Sequence, residues 1–398
     1  MPLGKDKQKK IKFLLDEGEL SIAEIAKKLK IKQSTVEAFT LKGETALAAR
    51  LTKVIDERNI LKRQNKALLR ENALFQALKT VIHDKVTPVI PFKQVKINDN
   101  KDKIQETAVL HLSDEHADSV VKPHQVGFLE NFNINIALRR GEILVDTLLK
   151  FTQKTLSNYN FNTLVILCNG DHVSGEIHDA TKHSAYKNAI RNALAVGQLH
   201  ACMFRDLAPY FKDIKIICTS GNHGRRTIKK DYEEPWNNWD YLVHETARAY
   251  CRDIKNIEFS IPESFSVCIN IEDYGFCIRH GDDIRSWNGI PWYGIERQTR
   301  RLKALNAVNN KNVDYFCFGH FHTLATQSNL TGEILLNGAW VGTSPFVFNS
   351  LAAYNTPMQL LHGVHEKNGV TWRLPIKLKS EKEHLGPTRY HIDLAKEF

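Results

Sequence analysis

The chain has 398 residues, 42% hydrophobic and 25% charged, which suits one large core plus a smaller module. It contains no run of about 18 uninterrupted apolar residues, and residues 1–10 are polar rather than signal-like, so no membrane association and a soluble, cytoplasmic protein are expected. The net charge of +10 is unevenly placed: residues 1–90 carry 19 Lys and Arg against 11 Asp and Glu, and the rest carry 36 against 34. A basic N-terminal module therefore precedes a nearly neutral body, which fits either an anionic polymer bound by the first part or a merely soluble helical surface rich in Lys.

Residues 8–16 read as a short helix with Ile11, Leu14 and Leu15 inward, broken by Gly18. Ser21 then caps a second helix, and Glu24, three residues on, completes a capping-box pattern. Ile22, Ile25, Ala26 and Leu29 follow at helical spacing, the small Ala26 permitting a close neighbour. After Ile31 the polar run Lys32, Gln33, Ser34 and Thr35 opens a third helix carrying Val36, Phe39 and Leu41. Residues 1–43 resemble a helix-turn-helix, in which the third helix enters the DNA major groove and its first residues, here Lys32, Gln33, Ser34 and Thr35, meet base edges. Lys30 stands in the turn where such motifs often carry Gly, so that turn must accommodate a side chain. A small helical bundle that binds protein is the other reading.

Residues 44–86 contain neither Pro nor Gly and are dominated by helix formers, which predicts one long helix. Leu47, Val54, Leu61, Leu68 and Phe75 fall at the d positions of a heptad, with Leu51, Arg58, Asn65 and Asn72 at a. Apolar d positions with Asn at two a positions describe a two-stranded coiled coil, hence a homodimer through residues 44–86; a helix lying on the following domain is the alternative. Pro88 and Pro91 end the helix, and residues 87–106 read as a linker.

From residue 107 the pattern becomes α/β. Short apolar runs at 107–112, 163–168, 214–218 and 313–318 read as buried strands, separated by helical stretches near 133–156, 182–211 and 237–252. Residues 265–279 look like a hairpin turning at 272–275, and 333–341 and 370–378 add late strands. The seven Cys include no C-x-x-C pair, and Cys168, Cys218, Cys268 and Cys317 lie inside strand-like runs, as buried small hydrophobes in a reducing compartment do. Layered sheets flanked by helices follow.

Five short stretches stand at or just past the ends of these runs, where a parallel sheet places its binding groups. They are Ser113-Asp114-Glu115-His116, Asn169-Gly170-Asp171, Gly221-Asn222-His223, His280-Gly281 and Gly319-His320-Phe321-His322. A pair of divalent ions about 3.5 to 4 Å apart needs a bridging carboxylate, hard oxygen ligands and neutral imidazoles, and these residue types supply them. In the D-x-H and H-x-H pairs, period-2 geometry points both side chains one way if the backbone is still extended.

Taken together in this order, the five stretches resemble the calcineurin-like metallophosphoesterase family over residues 107 to about 342. The resemblance implies a four-layer αββα sandwich over residues 107–398. It implies that Asp114, His116, Asp171 and His322 hold one metal and Asp171, Asn222, His280 and His320 the other, with manganese expected and iron, zinc or nickel admitted by the mixed ligand set. It further implies that a hydroxide activated by both metals attacks phosphorus, with His223 as the catalytic histidine. One departure stands out: an acidic residue normally follows that histidine, and here Gly224 does, so another acid such as Asp231 or Glu233 must orient the imidazole or acid catalysis is weaker. Arg225, Arg226 and His172 are candidate substrate contacts, as are His178 and His183. Trp287, Trp292 and Tyr293 either stack on a base or belong to the core.

Within the superfamily the ligand set is similar to that of SbcD-type DNA nucleases, although those carry their accessory domain after the catalytic one. The arrangement here is similar to phosphoesterases encoded by phages and their bacterial hosts. The expected function is a DNA phosphodiesterase targeted by an N-terminal DNA-binding module. A phosphomonoesterase or protein phosphatase, and a DNA-binding regulator with an idle phosphoesterase body, are the alternatives.

Overall fold

The computed structural model describes residues 5–17, 19–85, 102–177, 182–227, 229–232, 234–284, 290–380 and 388–392. The chain divides into two compact units, Met1–Gln76 and Ala77–Phe398. In the first, helices α1 (Lys5–Glu17) and α2 (Ile22–Lys28) and the start of α3 (Gln33–Lys85) bury Ile11, Leu14, Ile25, Ala26 and Val36 in one small core. Each helix shows its neighbours one apolar stripe, which is what the helical spacing of those residues provides. The capping box at Ser21 is formed: Ser21 N donates to the Glu24 carboxylate at 2.8 Å, and Ser21 Oγ accepts from Glu24 N at 3.4 Å. Lys30 turns the chain after α2 with a φ of +51°, a left-handed conformation that costs a side chain on the order of 1 kcal/mol.

One expectation is corrected here. The third helix and the long helix predicted over 44–86 are a single helix, α3, which runs through Gly43 and ends at Lys85. A lone glycine costs about 1 kcal/mol in a helix interior, and extending an existing helix needs no second nucleus, so the helix formers on either side prevail. Of the heptad positions, Leu61 is exposed, Phe75 is buried, and Arg58 and Asn65 are exposed. The side chains of Leu47, Leu51, Val54, Leu68 and Asn72 lie outside the described residues. Within the second unit, Lys79 donates to the Tyr241 hydroxyl at 2.8 Å and pairs with Glu245 at 3.1 Å. The expected linker lies mostly outside the described residues, although its end forms strand β1 (Ile104–Gln105).

The second unit continues with β2 (Thr107–Leu112), α4 (Ile134–Lys150), β3 (Tyr159–Asn160), β4 (Thr163–Asn169), α5 (Ala189–Leu207), β5 (Asp213–Thr219) and α6 (Trp239–Tyr250). Then come β6 (Ile257–Ser260), β7 (Ser266–Ile271), β8 (Tyr274–Arg279), α7 (Trp292–Val308) and β9 (Tyr315–Phe318). The last strands are β10 (Ala325–Ser328), β11 (Glu333–Leu336), β12 (Met358–His365) and β13 (Gly369–Lys377). Strands β3, β6, β10 and β12 and helix α7 were not anticipated from the sequence. The larger sheet has the order β13-β12-β2-β4-β5-β6, parallel from β2 to β6 with β12 and β13 antiparallel at one side, and the second has the order β10-β11-β9-β8-β7, with a parallel centre and antiparallel edges; β1 and β3 form a short parallel pair of their own.

Side-chain alternation stacks these sheets. In β8, β9 and β11, Phe276, Ile278, Tyr315, Cys317 and Leu335 face Val109, Val165, Leu167 and Leu360 of the other sheet. The intervening Cys277, Phe316, Phe318, Ile334 and Leu336 face Ile295 and Leu302 of α7. Helices α4, α5 and α6 cover the outer side of the six-stranded sheet. The result is a helix, sheet, sheet, helix order of layers. Among the described residues no helix is long and apolar enough to cross a membrane. Cys168, Cys218 and Cys317 are buried in their strands, and Cys268 is half-buried.

Inside the six-stranded sheet, His111 of β2 and His362 of β12 meet with their Nε2 atoms 3.1 Å apart. Burial pushes the His111 imidazole down to about 3 and that of His362 well below its ordinary range. Both stay neutral when folded and take up a proton on unfolding. Their contribution to stability is therefore complete above about pH 6.5 and is lost as the pH falls toward the folded values, by about 1.4 kcal/mol per pH unit for each ring. The urea midpoint is expected to drop steeply between pH 6.5 and 4, and less steeply in His111→Gln; an unchanged slope in that variant would assign the acid sensitivity to other groups.

Candidate metal centre

The residues expected as ligands lie just past the carboxyl ends of five strands: Asp114 and His116 after β2, Asp171 after β4, Asn222 after β5, His280 after β8, and His320 and His322 after β9. Extended backbone does not carry them. Asp114 (φ +54°), His116 (+41°), Asp171 (+56°), His320 (+66°) and His322 (+53°) are all left-handed. Period-2 geometry is thus not what aligns the D-x-H and H-x-H pairs; each ligand turns individually, in conformations that cost on the order of 1 to 3 kcal/mol apiece and persist where the surroundings hold them.

The turns bring the donors together. Asp114, His116 and His322 form one group and Asp171, His280 and His320 another, and His223 lies at ligand spacing from His116 and Asp171. His116 Nε2 is 3.4 Å from His322 Nε2, which is 3.4 Å from Asp114 Oδ1. His280 Nε2 is 3.0 Å from Asp171 Oδ2 and 3.2 Å from Asn222 Oδ1. Asp171 stands between the groups, as a bridging ligand must. Its Oδ2 is buried and faces His280 Nε2 without an aligned hydrogen bond, two donors a cation between them would satisfy together, so the residues present fit a pair of divalent ions. His280 Nδ1 donates to the Asn169 carbonyl at 2.8 Å, which fixes the tautomer and leaves Nε2 facing the centre.

Charge follows the same geometry. Burial alone pushes the Asp171 carboxyl up, but His280, with His223 and His116, holds it well below the usual carboxylate range. Burial lowers the His280 imidazole, and the neighbouring Asp171 more than reverses this, to about 10. His116, driven by burial and by His223, falls to about 3, and His320 to about 4 through burial and His280. Those two rings are neutral and present lone pairs to a metal.

Behind the ligands stands a set of residues that local sequence reading missed. Asp240, in the first turn of α6, accepts from Asp171 N at 2.9 Å and Gly221 N at 2.8 Å on one oxygen and from His172 N at 3.0 Å on the other. Asn238, the N-cap of α6, accepts from Asp240 N and donates to Gly221 O, both at 2.8 Å. The only local signal was that cap: Asn followed two residues later by Asp. Asn169 joins the two sheets, its amide donating to the carbonyls of Arg279 (2.9 Å) and Cys317 (3.2 Å) while its oxygen accepts from Thr219 Oγ1 (2.7 Å).

The Asn238 cap also accounts for Gly224. A Cβ at that position would lie 2.1 Å from Asn238 Oδ1 and 3.0 Å from Asp240 Cγ, so no acidic side chain fits beside His223. His223 is positioned otherwise: its backbone N donates to Asp171 Oδ1 at 2.8 Å, and its Nδ1 faces the Ser174 carbonyl at 3.3 Å. Ser174 is in turn held by Asp118, whose carboxylate accepts Ser174 N at 2.6 Å. Of the acids expected to substitute, Asp231 is exposed and Glu233 lies outside the described residues.

Several candidate substrate contacts are corrected. His172 is fully buried against Glu115, His200 and His244, because the left-handed turn at Asp171 sends the next side chain inward. Arg226 donates to Asn237 Oδ1 at 3.0 Å and lies over the Trp239 ring, a structural placement. Arg225 lines a cleft beside Asn222 with Thr227, Lys230 and Phe265. Trp292 packs on the α7 core, Tyr293 and His183 are exposed, and His178 and Trp287 lie outside the described residues. In the first unit, Lys32, Gln33 and Ser34 are exposed at the start of α3 and Thr35 is half-buried.

A family model described as calcineurin-like phosphoesterase matches residues 107–324. Similar solved structures include Vps29 complexed with zinc from Entamoeba histolytica, at 12% identity, covering 68% of this chain and 100% of that one with a TM-score of 0.30. An archaeal phosphodiesterase is 11% identical, with 68% and 99% covered and a TM-score of 0.30. A hypothetical protein from Pyrococcus horikoshii OT3 is 12% identical, with 70% and 91% covered and a TM-score of 0.33. No curated protein matches the chain in sequence.

Removing the carboxylate that holds the Asp171 and Gly221 amides is expected to weaken the centre although it touches no ion. Asp240→Ala should lower divalent-metal affinity by roughly 10- to 100-fold, measured by titration of the metal-free protein; unchanged affinity would show that the loops hold their shape without it.

Proposed function

The chain belongs to the calcineurin-like phosphoesterase family, and from that premise we propose that it is a DNA phosphodiesterase, a nuclease bound to its substrate through residues 1–43 and paired through residues 44–86. Membership makes it a phosphoesterase hydrolase that uses divalent metals. Asp114, His116, Asp171 and His322 would hold one ion and Asp171, Asn222, His280 and His320 the other, with manganese the expected metal. Bound there, such a pair supplies Lewis-acid polarisation of the phosphate and a water acidic enough to react near neutral pH.

The protein's own groups do the rest. His223, its Nδ1 engaged by the Ser174 carbonyl, presents Nε2 as the acid that protonates the leaving oxygen. Arg225 and Lys230, in the cleft beside Asn222, supply positive charge for the phosphates flanking the scissile one. Lys230 is itself fixed by Asp282 at 2.7 and 2.8 Å, so its ammonium is held in place before substrate arrives.

The observation that carries the nucleic-acid reading is the charge division: 19 basic against 11 acidic residues over 1–90, beside a body with 36 against 34. A phosphate polymer is the partner for which that asymmetry is suited, and exposed Lys32, Gln33 and Ser34 at the start of a helix are the groups to meet base edges. Exposed Leu61, on the heptad seam, is the kind of apolar residue a second copy would cover.

Purified protein should cut DNA with added manganese and stop with chelator, and Asp171→Ala should abolish cutting; cutting that survives in this variant comes from a contaminant. Preference for a monoester over a diester model substrate would replace the nuclease reading by a phosphomonoesterase. The combined substitution Lys32→Ala, Gln33→Ala, Ser34→Ala should weaken duplex binding at least about tenfold and flatten its salt dependence, while hydrolysis of a small diester is unchanged. Unaltered DNA affinity would remove residues 1–43 from the mechanism, and a monomeric mass in solution would remove the pairing.

A further inference from the structure

On the helical side of the ligand loops lies a second group of donor side chains that the proposed reaction does not use. Glu115 stands between two ligands and His172 follows a third, and both turn away from the open centre toward His200 of α5 and His244 of α6. Glu115, His172 and His200 are 0% exposed, as is Cys168 at the end of β4, and His244 is 2% exposed. Glu115, His172 and His200 offer ligand atoms within 4.8 Å of one another, and so do Cys168, His200 and His244. His200 belongs to both sets.

Hydrogen bonding leaves this group incomplete. His200 Nε2 reaches Glu115 Oε2 at 2.7 Å and His244 Nε2 lies 3.3 Å from the Thr219 carbonyl. Glu115 Oε1, both ring nitrogens of His172 and His200 Nδ1 are buried without a hydrogen-bond partner. His172 Nδ1 stands 3.5 Å from Glu115 Oε1, close to the roughly 3.3 Å that separates two ligands 2.0 to 2.1 Å from one tetrahedral ion. Pairs in the open centre have the same spacing, 3.4 Å for both His116 with His322 and His322 with Asp114. A buried polar atom with no partner costs about 1 to 3 kcal/mol, and one cation would satisfy several of these together.

We propose that these residues form a third, structural metal site, distinct from the two-ion centre, in which Glu115, His172 and His200 hold a divalent ion and Cys168 or His244 completes the shell. Imidazole, carboxylate and thiolate donors gathered in this way suit zinc, and a closed site with no solvent-facing position is of the structural kind. The ion would bind the loops after β2 and β4 to α5 and α6, so that Asp114, His116 and Asp171 are anchored from behind.

The test uses full-length protein produced with zinc supplied and then dialysed against chelator to strip the open centre. One equivalent of zinc per chain is expected to remain, in the wild type and in Asp171→Asn alike, and to be lost in His200→Ala. X-ray absorption at the zinc edge should then report nitrogen and oxygen neighbours at about 2.0 to 2.1 Å, with a sulfur at about 2.3 Å if Cys168 is the fourth ligand. A folded wild type that retains no zinc overturns the proposal, as does a folded His200→Ala that retains its full equivalent. Should His200→Ala fail to fold, the wild-type measurement and Glu115→Gln, expected to release the ion, decide the matter.

Discussion

The Asp240 carboxylate, in the first turn of α6, accepts the backbone amides of Asp171, His172 and Gly221, which belong to the two loops leaving β4 and β5. One side chain thereby fixes the distance between the residue placed to bridge two ions and the loop that carries Asn222 and His223. The approach is close enough that position 221 must be glycine: a Cβ there would stand 2.1 Å from Asp171 Oδ1. Space around Asp240 and its cap Asn238 is equally full, which is why the residue after His223 has no side chain and why the imidazole is oriented by a peptide carbonyl instead.

Five ligand residues in left-handed conformation amount to several kcal/mol of local strain, and the loops share the task of holding it. Asp114 N donates to Gly170 O at 3.0 Å and His116 N to Asp171 O at 3.1 Å, so the loop after β2 is laced to the loop after β4. His320 N donates to Asp114 Oδ1 at 2.8 Å, and Trp340 N to Asp114 O at 3.0 Å. Each ligand-bearing turn is thus an acceptor or donor for another, and no single loop has to maintain its shape alone.

The parts of this protein written locally were legible in its sequence. Buried parallel strands such as 107–112 and 163–168 are continuous apolar runs that could be located without neighbours, and the stretches carrying the candidate ligands are short motifs at their ends. Strand β10, Ala325–Ser328, is polar in three of its four residues and lies at a sheet edge, and β12 is interrupted by His362 and Gly363, so neither has a clear period. Asp240 lies 69 residues from Asp171, and nothing in its own surroundings says that it receives that amide. His172 was misread because sequence adjacency to a ligand says nothing about direction once the backbone turns left-handed, and the join at Gly43 was misread because a single breaker does not end a helix that both flanks favour.

Asn169 bridges the two sheets beneath the centre, bonded to β8 and β9 across the interface and to β5 beside it. Its own carbonyl also sets the His280 tautomer. The ligands come from both sheets, with Asp114 and His320 separated by 206 residues, so the donors exist as a set only after the sheets have docked. In small metal-dependent domains the ion nucleates the fold. Here the donors converge only where long-range strand pairs have closed, so an ion at this centre would meet its full donor set only in the folded chain.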